Sequence, residues 1–421
     1  MRVNLESLSA NIITVGDELL IGQVVDSNAA YIASELTKIG VIVSYSLTIH
    51  DHLTTIATAI DRSLNQCPLT IVTGGLGPTP DDLTRESTAS LLGVSLKTDS
   101  EVLAAIHNRF AILGREVPRG SERVAQVPEG FETLSNSLGT APGLWHQRQD
   151  GNIVVLLPGV PHEMKAIFST HVIPRITHLQ GREMIAQRTL KVAGIGETII
   201  QHRMEAIAHV IGHDLMIAYL PGLYGVRVRL TVRGDNANKR LNDAENFIRK
   251  ELGATIFGSD EDTLESVLGE LLKYQGKTIA VAESCTGGLV LNHLTNVPGA
   301  SDYVLGGVIA YSNRIKQHQL GVDENTLKQH GAVSELVALQ MAEGIRNRFC
   351  SDVGLSVTGI SGPTGGSDIK PVGLVWIGYA DAEGAFAVKR QFGDDRSLNK
   401  QRSALAVLDL GRKTLLKRSN Q

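Results

Sequence analysis

The chain has 421 residues, enough for two or three domains with separate cores. A net charge of −4 and an aromatic content of 4% argue against a dedicated nucleic-acid binder, which needs a basic excess and stacking rings. Nowhere do about eighteen apolar residues run together, and Met1–Ala10 has no apolar signal core, so a soluble, cytoplasmic protein without membrane partners is expected.

From Asn11 to about 170, strand-like and helical segments alternate: strand Asn11–Val15, helix Asn28–Lys38, strand Val41–Ile49, helix Thr54–Asn65, strand Leu69–Thr73. Such alternation predicts βαβ units and a parallel sheet covered on both faces, with ligands at the carboxyl ends of the strands. The polar motifs fall at those ends. Gly16-Asp17-Glu18 through Asp26 and Asn28 follows the first strand, and Thr73–Glu86 follows the third. Two more loops are Gly139–Gly143 and, after strand-like Ile153–Leu157, Pro158–Met164.

Within Thr73–Glu86, Thr79 reads as a helix N-cap with Pro80 at the first helical position and Asp81 and Asp82 in the first turn. Capping leaves Gly74, Gly75 and Gly77 unexplained, and these suit a loop pressed against phosphate. It also leaves unexplained why Asp17, Glu18, Asp26 and Glu163 occupy neighbouring strand-end loops, where facing carboxylates are costly unless a cation joins them. Oxygen ligands point to Mg²⁺ or Mn²⁺ rather than zinc. A phosphate-plus-metal site is the reading preferred over capping alone.

The stretch from Gln187 to Phe257 runs β-α-β-β-α-β, a ferredoxin-like order. Val226, Val228, Leu230 and Val232 alternate with Arg227, Arg229, Thr231 and Arg233, giving one apolar and one basic face. A half-solvated sheet face is the preferred reading over RNA or DNA contact.

After the polar boundary at 258–263 comes a helix over Leu264–Tyr274, then a short β-branched run into Ala282-Glu283-Ser284-Cys285-Thr286-Gly287-Gly288 and a helix from Leu289. A strand-turn-helix corner sets nucleophiles at a sheet's carboxyl end and lets the N–H groups of Thr286, Gly287 and Gly288 face an oxyanion or phosphate. A plain corner with Ser and Thr as helix caps fits the heptad equally well. Further on come strand Val304–Ala310 ending in Tyr311–Lys316, a Ser334 N-cap for helix Leu336–Phe349, and strand Val353–Val357 running into the Thr358–Gly366 loop. A hairpin over Pro371–Phe392 and a helix over Ser397–Lys417 follow. The three cysteines, Cys67, Cys285 and Cys350, form no Cys-x-x-Cys, so neither a disulfide framework nor a zinc site is expected, and Cys67 and Cys350 read as buried apolar residues.

The expected architecture is α/β: two three-layer α/β domains with mostly parallel sheets, 1–180 and 259–421, joined by a small ferredoxin-like α+β domain, 181–258. With these motifs the whole chain resembles the CinA family, the competence/damage-inducible protein A type. The resemblance rests on Gly16-Asp17-Glu18, Gly22, Asp26, Asn28, Thr73–Glu86, Gly139–Gly143 and Pro158–Met164 in the first half. In the second it rests on Ala282–Gly288, Tyr311–Asn313 with Lys316, Gly331–Glu335 and Lys370–Gly373. Two positions depart from the family pattern: Ser361 stands where Ala is expected, and Asp394 where Gly precedes an Asp-Arg pair.

The resemblance implies a molybdopterin-binding fold in the first domain, with metal-dependent hydrolysis of ADP-ribose to AMP and ribose 5-phosphate. A divalent ion among Asp17, Asp26, Asp81, Asp82 and Glu163 would serve it, with Asn28, Gly74, Gly75 and Gly77 placing the phosphates. The last domain is similar to nicotinamide mononucleotide deamidases, which implies a cofactor-free amide hydrolysis. In that reading Ser284 is the nucleophile, Lys316 the base, Tyr311 relays or orients the proton, Thr358 and the Gly359–Gly366 loop with Gly362 hold substrate, and Arg396 meets the substrate's phosphate. Cys285 is the rival nucleophile. A homodimer is also implied. Two other classes stand beside these: a molybdopterin-binding module, and an interaction partner in DNA uptake or repair working through Arg227, Arg229 and Arg233.

Overall fold

The computed structural model describes residues 8–179, 185–211 and 215–419. The chain divides into two compact units, one up to Ile185 with Arg233–Asp235, the other Ala186–Val232 with Asn236 onward. The expected boundary between 180 and 181 lies outside the described residues. Among those residues no helix is long and apolar enough to cross a membrane.

The first unit is built on a 6-stranded sheet in the order Ile42–Ile49, Ser9–Val15, Leu69–Thr73, Ile153–Leu157, Gly143–Gln147, Glu132–Leu134. The first four strands are parallel and the last two antiparallel. Leu69–Thr73 and Ile153–Leu157 are buried throughout, which is why they read as unbroken apolar runs. Ile12, Ile71 and Val155 pack on one helical layer with Ile32, Met164 and Phe168, whereas Ile13, Val72 and Val154 meet Ile56, Ile60 and Ile106 on the other. Register pairs Val15 with Ile49, Thr14 with Thr73, and Thr73 with Leu157. Four loops therefore leave one sheet edge together.

One local expectation fails. The helix after the glycine loop spans Thr84–Leu92, and Thr79 does not cap it. Instead the Asp82 carboxylate accepts from Thr79 N at 2.8 Å and from its hydroxyl at 2.5 Å, closing a separate turn over Pro80 and Asp81. Thr84 N then donates to Gly75 O at 3.1 Å, so the helix starts where the chain returns to the glycine loop.

In the second unit a 4-stranded sheet runs Met216–Gly222, Gly225–Arg233, Ile185–Ala193, Ile256–Ser259, the strand order of a ferredoxin-like β-α-β-β-α-β chain. Val226, Val228, Leu230 and Val232 are buried with Ile200, Leu241 and Ile248, while Arg227 is exposed. The other sheet of this unit has 5 strands: Val304–Ile309, Ile279–Glu283 and Val353–Gly359 parallel, then Leu374–Asp381 and Gly384–Gln391 antiparallel. Helices Leu264–Gln275 and Arg396–Ser419 cover one face through Leu268, Leu272, Val407 and Leu415. Helix Glu335–Phe349 covers the other through Val337, Met341 and Ile345.

The long last helix also holds the small domain. Arg402 Nε donates to Leu223 O at 3.2 Å, and the buried Arg412 donates to Ala254 O at 2.7 Å while pairing with Asp409 at 2.7 Å. Of the cysteines, Cys67 is buried as expected. Cys350 is exposed, because it ends a helix in the left-handed conformation at φ 50°.

Candidate active site

The Ser284 corner follows a strand, Ile279–Glu283, whose five residues are all buried; Ser284, Cys285 and Thr286 stay buried too, and the chain reaches the surface at Gly287. Ser284 N donates to Val357 O at 3.0 Å, which fixes the first residue of the turn to the neighbouring strand. Gly287 and Gly288 then take φ of 67° and 101°, a conformation that residues with a Cβ rarely hold.

Beneath the turn lies Glu283, wholly buried. Its carboxylate accepts from the Thr286 hydroxyl at 2.6 Å, Gly288 N at 2.9 Å, Val290 N at 3.2 Å and Leu291 N at 2.9 Å. The helix Leu289–Thr295 is thus capped by the residue before Ser284, where a negative charge also meets the positive end of the helix. This corrects one expectation: Gly288 N–H and the Thr286 hydroxyl are committed to Glu283. The N–H groups of Thr286 and Gly287 make no hydrogen bond among the described residues and remain as donors for an oxyanion.

Lys316 stands in the first turn of helix Asn313–Leu320, which Ser312 caps through its hydroxyl. Only 1% of it is exposed. Its Nζ lies 2.9 Å from Ser284 Oγ, 2.6 Å from Ala310 O and 3.4 Å from Tyr311 O. A neutral amine meets this arrangement in full: two N–H bonds serve the two carbonyls and the lone pair faces the serine hydroxyl. No carboxylate pairs with it among the described residues, and burial lowers its pKa to about 8. Cys285 differs, since burial pushes its thiol up to about 12 and keeps it protonated.

Around this pair the other expected residues take distinct places. Tyr311 offers its carbonyl to Lys316, while its exposed ring hydroxyl accepts from Arg396 Nη2 at 3.3 Å. Arg396 Nη1 donates to Gly362 O at 2.8 Å. Thr358 is buried and donates to Ala332 O at 2.8 Å, tying the 331–335 loop to the strand end. Gly359 packs under Val375, where a Cβ would come within 2.7 Å of that side chain. Asp394 makes no ion pair with Arg396, and its backbone carbonyl lies against Gly362.

The first unit carries a second site. A cleft of about 870 Å³ at the carboxyl ends of the parallel strands is lined by Asp17, Glu18, Asp51, Asp81, Asp82 and Glu163 together with Gly74, Gly75 and Gly77. The Gly74 N–H is spent on Leu157 O, whereas those of Gly75, Leu76 and Gly77 make no hydrogen bond among the described residues. The Leu76 and Gly77 carbonyls are held by Arg85, a buried guanidinium that donates to Leu76 O and, at 2.8 Å, to Gly77 O, while Gly75 O accepts from Thr84 N.

Two expected residues lie outside this cleft lining. Asp26 caps helix Ser27–Lys38, accepting from Ala29 N at 2.9 Å, so its carboxylate serves the helix. Asn28 is buried and donates to Thr73 Oγ1 at 3.2 Å and Gly159 O at 2.8 Å, which makes it a clasp between two strand-end loops. Glu163 accepts from Asn136 at 2.6 Å and presses on Gly139, where a Cβ would fall 1.8 Å from its oxygen. Asp51 is the acidic residue that the sequence reading missed. Burial raises its pKa, with the charges of Asp17, Glu18 and Asp82 acting in the same direction.

The acids in this cleft are hard oxygen donors, the kind that suits a cation of the Mg²⁺ class. Among the described residues no three His, Cys, Asp or Glu side chains form a ready ligand cluster. The expected set of Asp17, Asp26, Asp81, Asp82 and Glu163 is therefore not gathered into one ligand group among the described residues.

Comparisons with known proteins agree on three segments. Residues 11–178 match the family described as "Probable molybdopterin binding domain", 187–258 the "Damage-inducible protein CinA KH domain", and 261–415 the "CinA C-terminal domain". A CinA-like protein of Salinibacter ruber is 48% identical over 97% of this chain and 100% of its own length. A CinA-like protein of Microcystis aeruginosa is 42% identical over 97% of this chain and 99% of its own. Among solved structures, the protein CinA with unknown function from Thermoplasma acidophilum is 35% identical, covers 41% of this chain and 98% of that one, and has a TM-score of 0.38.

Proposed function

We propose that this chain, which belongs to the CinA family, hydrolyses the carboxamide of nicotinamide mononucleotide at the Ser284 corner, releasing nicotinic acid mononucleotide and ammonia. The observation that carries the proposal is the buried amine of Lys316 at 2.9 Å from the Ser284 hydroxyl. An amide carbon is a poor electrophile, so the chemistry needs a deprotonated nucleophile, oxyanion donors and an acid for the leaving amine. Neutral Lys316 takes the Ser284 proton as Oγ bonds to the carboxamide carbon. The carbonyl π pair moves onto oxygen, facing the N–H groups of Thr286 and Gly287. Collapse breaks the C–N bond, and the Lys316 ammonium returns the proton so that ammonia leaves. Water, deprotonated by the same amine, then cleaves the acyl ester and restores Ser284. Ammonia release from nicotinamide mononucleotide by the full chain, measured beside Ser284→Ala, tests this reading: equal release from both would reject it.

For the first unit we infer hydrolysis of the pyrophosphate of ADP-ribose to AMP and ribose 5-phosphate, supported by the cleft that joins free N–H groups to facing carboxylates. A divalent cation held among Asp17, Asp81, Asp82 and Glu163, with Asp51 beside them, would supply Lewis-acid polarisation there. The chain itself binds phosphate oxygens through Gly75, Leu76 and Gly77. AMP formation from ADP-ribose with and without a chelator decides the matter. Tight binding of a pterin without AMP formation would favour the molybdopterin-binding alternative instead.

The DNA reading through Arg227, Arg229 and Arg233 predicts steeply salt-dependent DNA binding, whereas the deamidase reading predicts none, so a filter-binding titration at two salt concentrations separates them.

A further inference from the structure

We propose that Lys400, which no motif above singles out, is a specificity-determining residue of the Ser284 site. In this role it completes with Arg396 a two-point receptor for the phosphomonoester of the substrate. The inference rests on the deamidase reading of that site and adds how a mononucleotide is told from a nucleoside.

Lys400 and Arg396 are four residues apart in the first turns of helix Arg396–Ser419, so their side chains leave the same helical face. That face is held against the site by Asn399, which is wholly buried and donates to Ser361 O at 3.0 Å and Gly393 O at 2.8 Å. Arg396 reaches Gly362 O and the Tyr311 hydroxyl. Lys400 reaches across to the nucleophile turn, where a Cβ built on Gly287 would lie 3.7 Å from its Nζ. It is half-buried, yet it makes no hydrogen bond or ion pair among the described residues. A lysine held at a catalytic turn with no anion beside it is an electrostatic cost until an anion arrives. Arg396 keeps N–H groups beyond the two it spends on Gly362 O and Tyr311, because a guanidinium carries five. The nearby carboxylates are not paired with either cation: Asp394 makes no ion pair with Arg396 or Lys400, Asp395 accepts from Leu398 N at 2.8 Å, and Glu283 in the Ser284 turn is satisfied by four donors.

The two cations thus stand at one edge of the Ser284 turn, with Tyr311 linking arginine and base: its hydroxyl accepts from Arg396 and its carbonyl from Lys316. A dianionic phosphomonoester bound there fixes the far end of a nucleotide whose carboxamide meets Ser284. A nucleoside lacks the anion and gains nothing from either cation.

The test compares full-length protein with Lys400→Ala and Lys400→Arg on nicotinamide mononucleotide and on the corresponding riboside. Expected for Lys400→Ala is a KM for the mononucleotide raised by about 10- to 100-fold with kcat nearly kept, so that discrimination against the riboside falls by the same factor. Lys400→Arg should restore most of it. Inorganic phosphate should compete with the mononucleotide on the wild type and do so at least about tenfold more weakly on Lys400→Ala. If the wild type deamidates neither compound, the functional reading fails by itself; phosphate binding measured by calorimetry on wild type and Lys400→Ala then still judges the receptor. Unchanged KM and unchanged phosphate affinity in Lys400→Ala overturn the proposal.

Discussion

The amine of Lys316 and the hydroxyl of Ser284 stand 2.9 Å apart, both side chains buried. Two carbonyls, of Ala310 and Tyr311, orient the amine so that its remaining bonding direction is toward the serine. Ser284→Ala should therefore lower ammonia release by about a thousandfold or more, the loss expected when a covalent nucleophile is removed. Cys285→Ser should keep activity within about threefold, since a thiol held near pKa 12 contributes no thiolate at neutral pH. Steady-state rates on nicotinamide mononucleotide check both, and a dead Cys285→Ser variant with native melting behaviour would shift the nucleophile to sulfur.

The pH profile follows from the same amine. With a pKa of about 8 lowered by burial, about a tenth of Lys316 is neutral at pH 7, so kcat/KM should climb about tenfold between pH 7 and 9 and then level off. Lys316→Arg keeps a positive charge but has no lone pair to offer, and should be inactive at every pH. The linkage sign agrees with this. The unfolded lysine, near pKa 10.4, binds the proton more tightly than the folded one, so this group's contribution to stability is complete above about 10.4 and is lost as pH falls to about 8. Rates and melting temperatures across that range provide the measurement.

Glu283 gives a stability prediction that is separate from chemistry. Its carboxylate accepts four hydrogen bonds, three of them from backbone N–H groups of a buried helix start. Glu283→Gln keeps the shape but replaces one acceptor oxygen with a donor, so at least Leu291 N or the Gly288–Val290 pair loses its partner. The cost should be about 1–3 kcal/mol, read as a lower denaturant midpoint at unchanged m-value. An unchanged midpoint would mean that water or backbone replaces the carboxylate.

Much of this was readable from residue order because local signals and tertiary packing agree. Helices such as Ala237–Leu252 and strands such as Leu69–Thr73 sit where their periodicity places them. The Thr79 cap failed because two readings were locally equivalent: Ser, Thr or Asp three residues from a partner closes a turn or opens a helix, and only the return of Thr84 to Gly75 decides. Asp51 carries no such signal, because its loop, His50-Asp51-His52, has none of the glycines that mark the other strand ends. Glu283 stands in the Ala282–Gly288 heptad, but residue order assigns it no role. Its role needs the turn to fold back, a fact about three dimensions rather than spacing. Asp26 shows the converse error, an acid whose company in sequence suggested a metal and whose hydrogen bond is a helix cap.

That difference between Asp26 and the acids of the cleft can be measured. Asp26→Ala removes a single N-cap bond, at a cost of about 1 kcal/mol, and should leave AMP formation from ADP-ribose within about threefold. Asp51→Asn removes a carboxylate beside Asp17, whose own oxygen is paired with His50 at 2.8 Å and whose backbone N–H donates to Asp51 at 3.1 Å. With the repulsion relieved, the folded unit should be no less stable. The Mg²⁺ concentration giving half-maximal AMP formation should nevertheless rise by about tenfold or more, because one oxygen ligand or its support is gone. Asp17→Asn should behave alike, since the two carboxylates share one hydrogen-bonded corner of the cleft. If Asp26→Ala raises the Mg²⁺ requirement while Asp51→Asn does not, the ion is held from the helix cap and the cleft assignment is wrong. The decisive comparison is thus between an acid with a helix to serve and an acid whose charge burial and its neighbours' charges oppose.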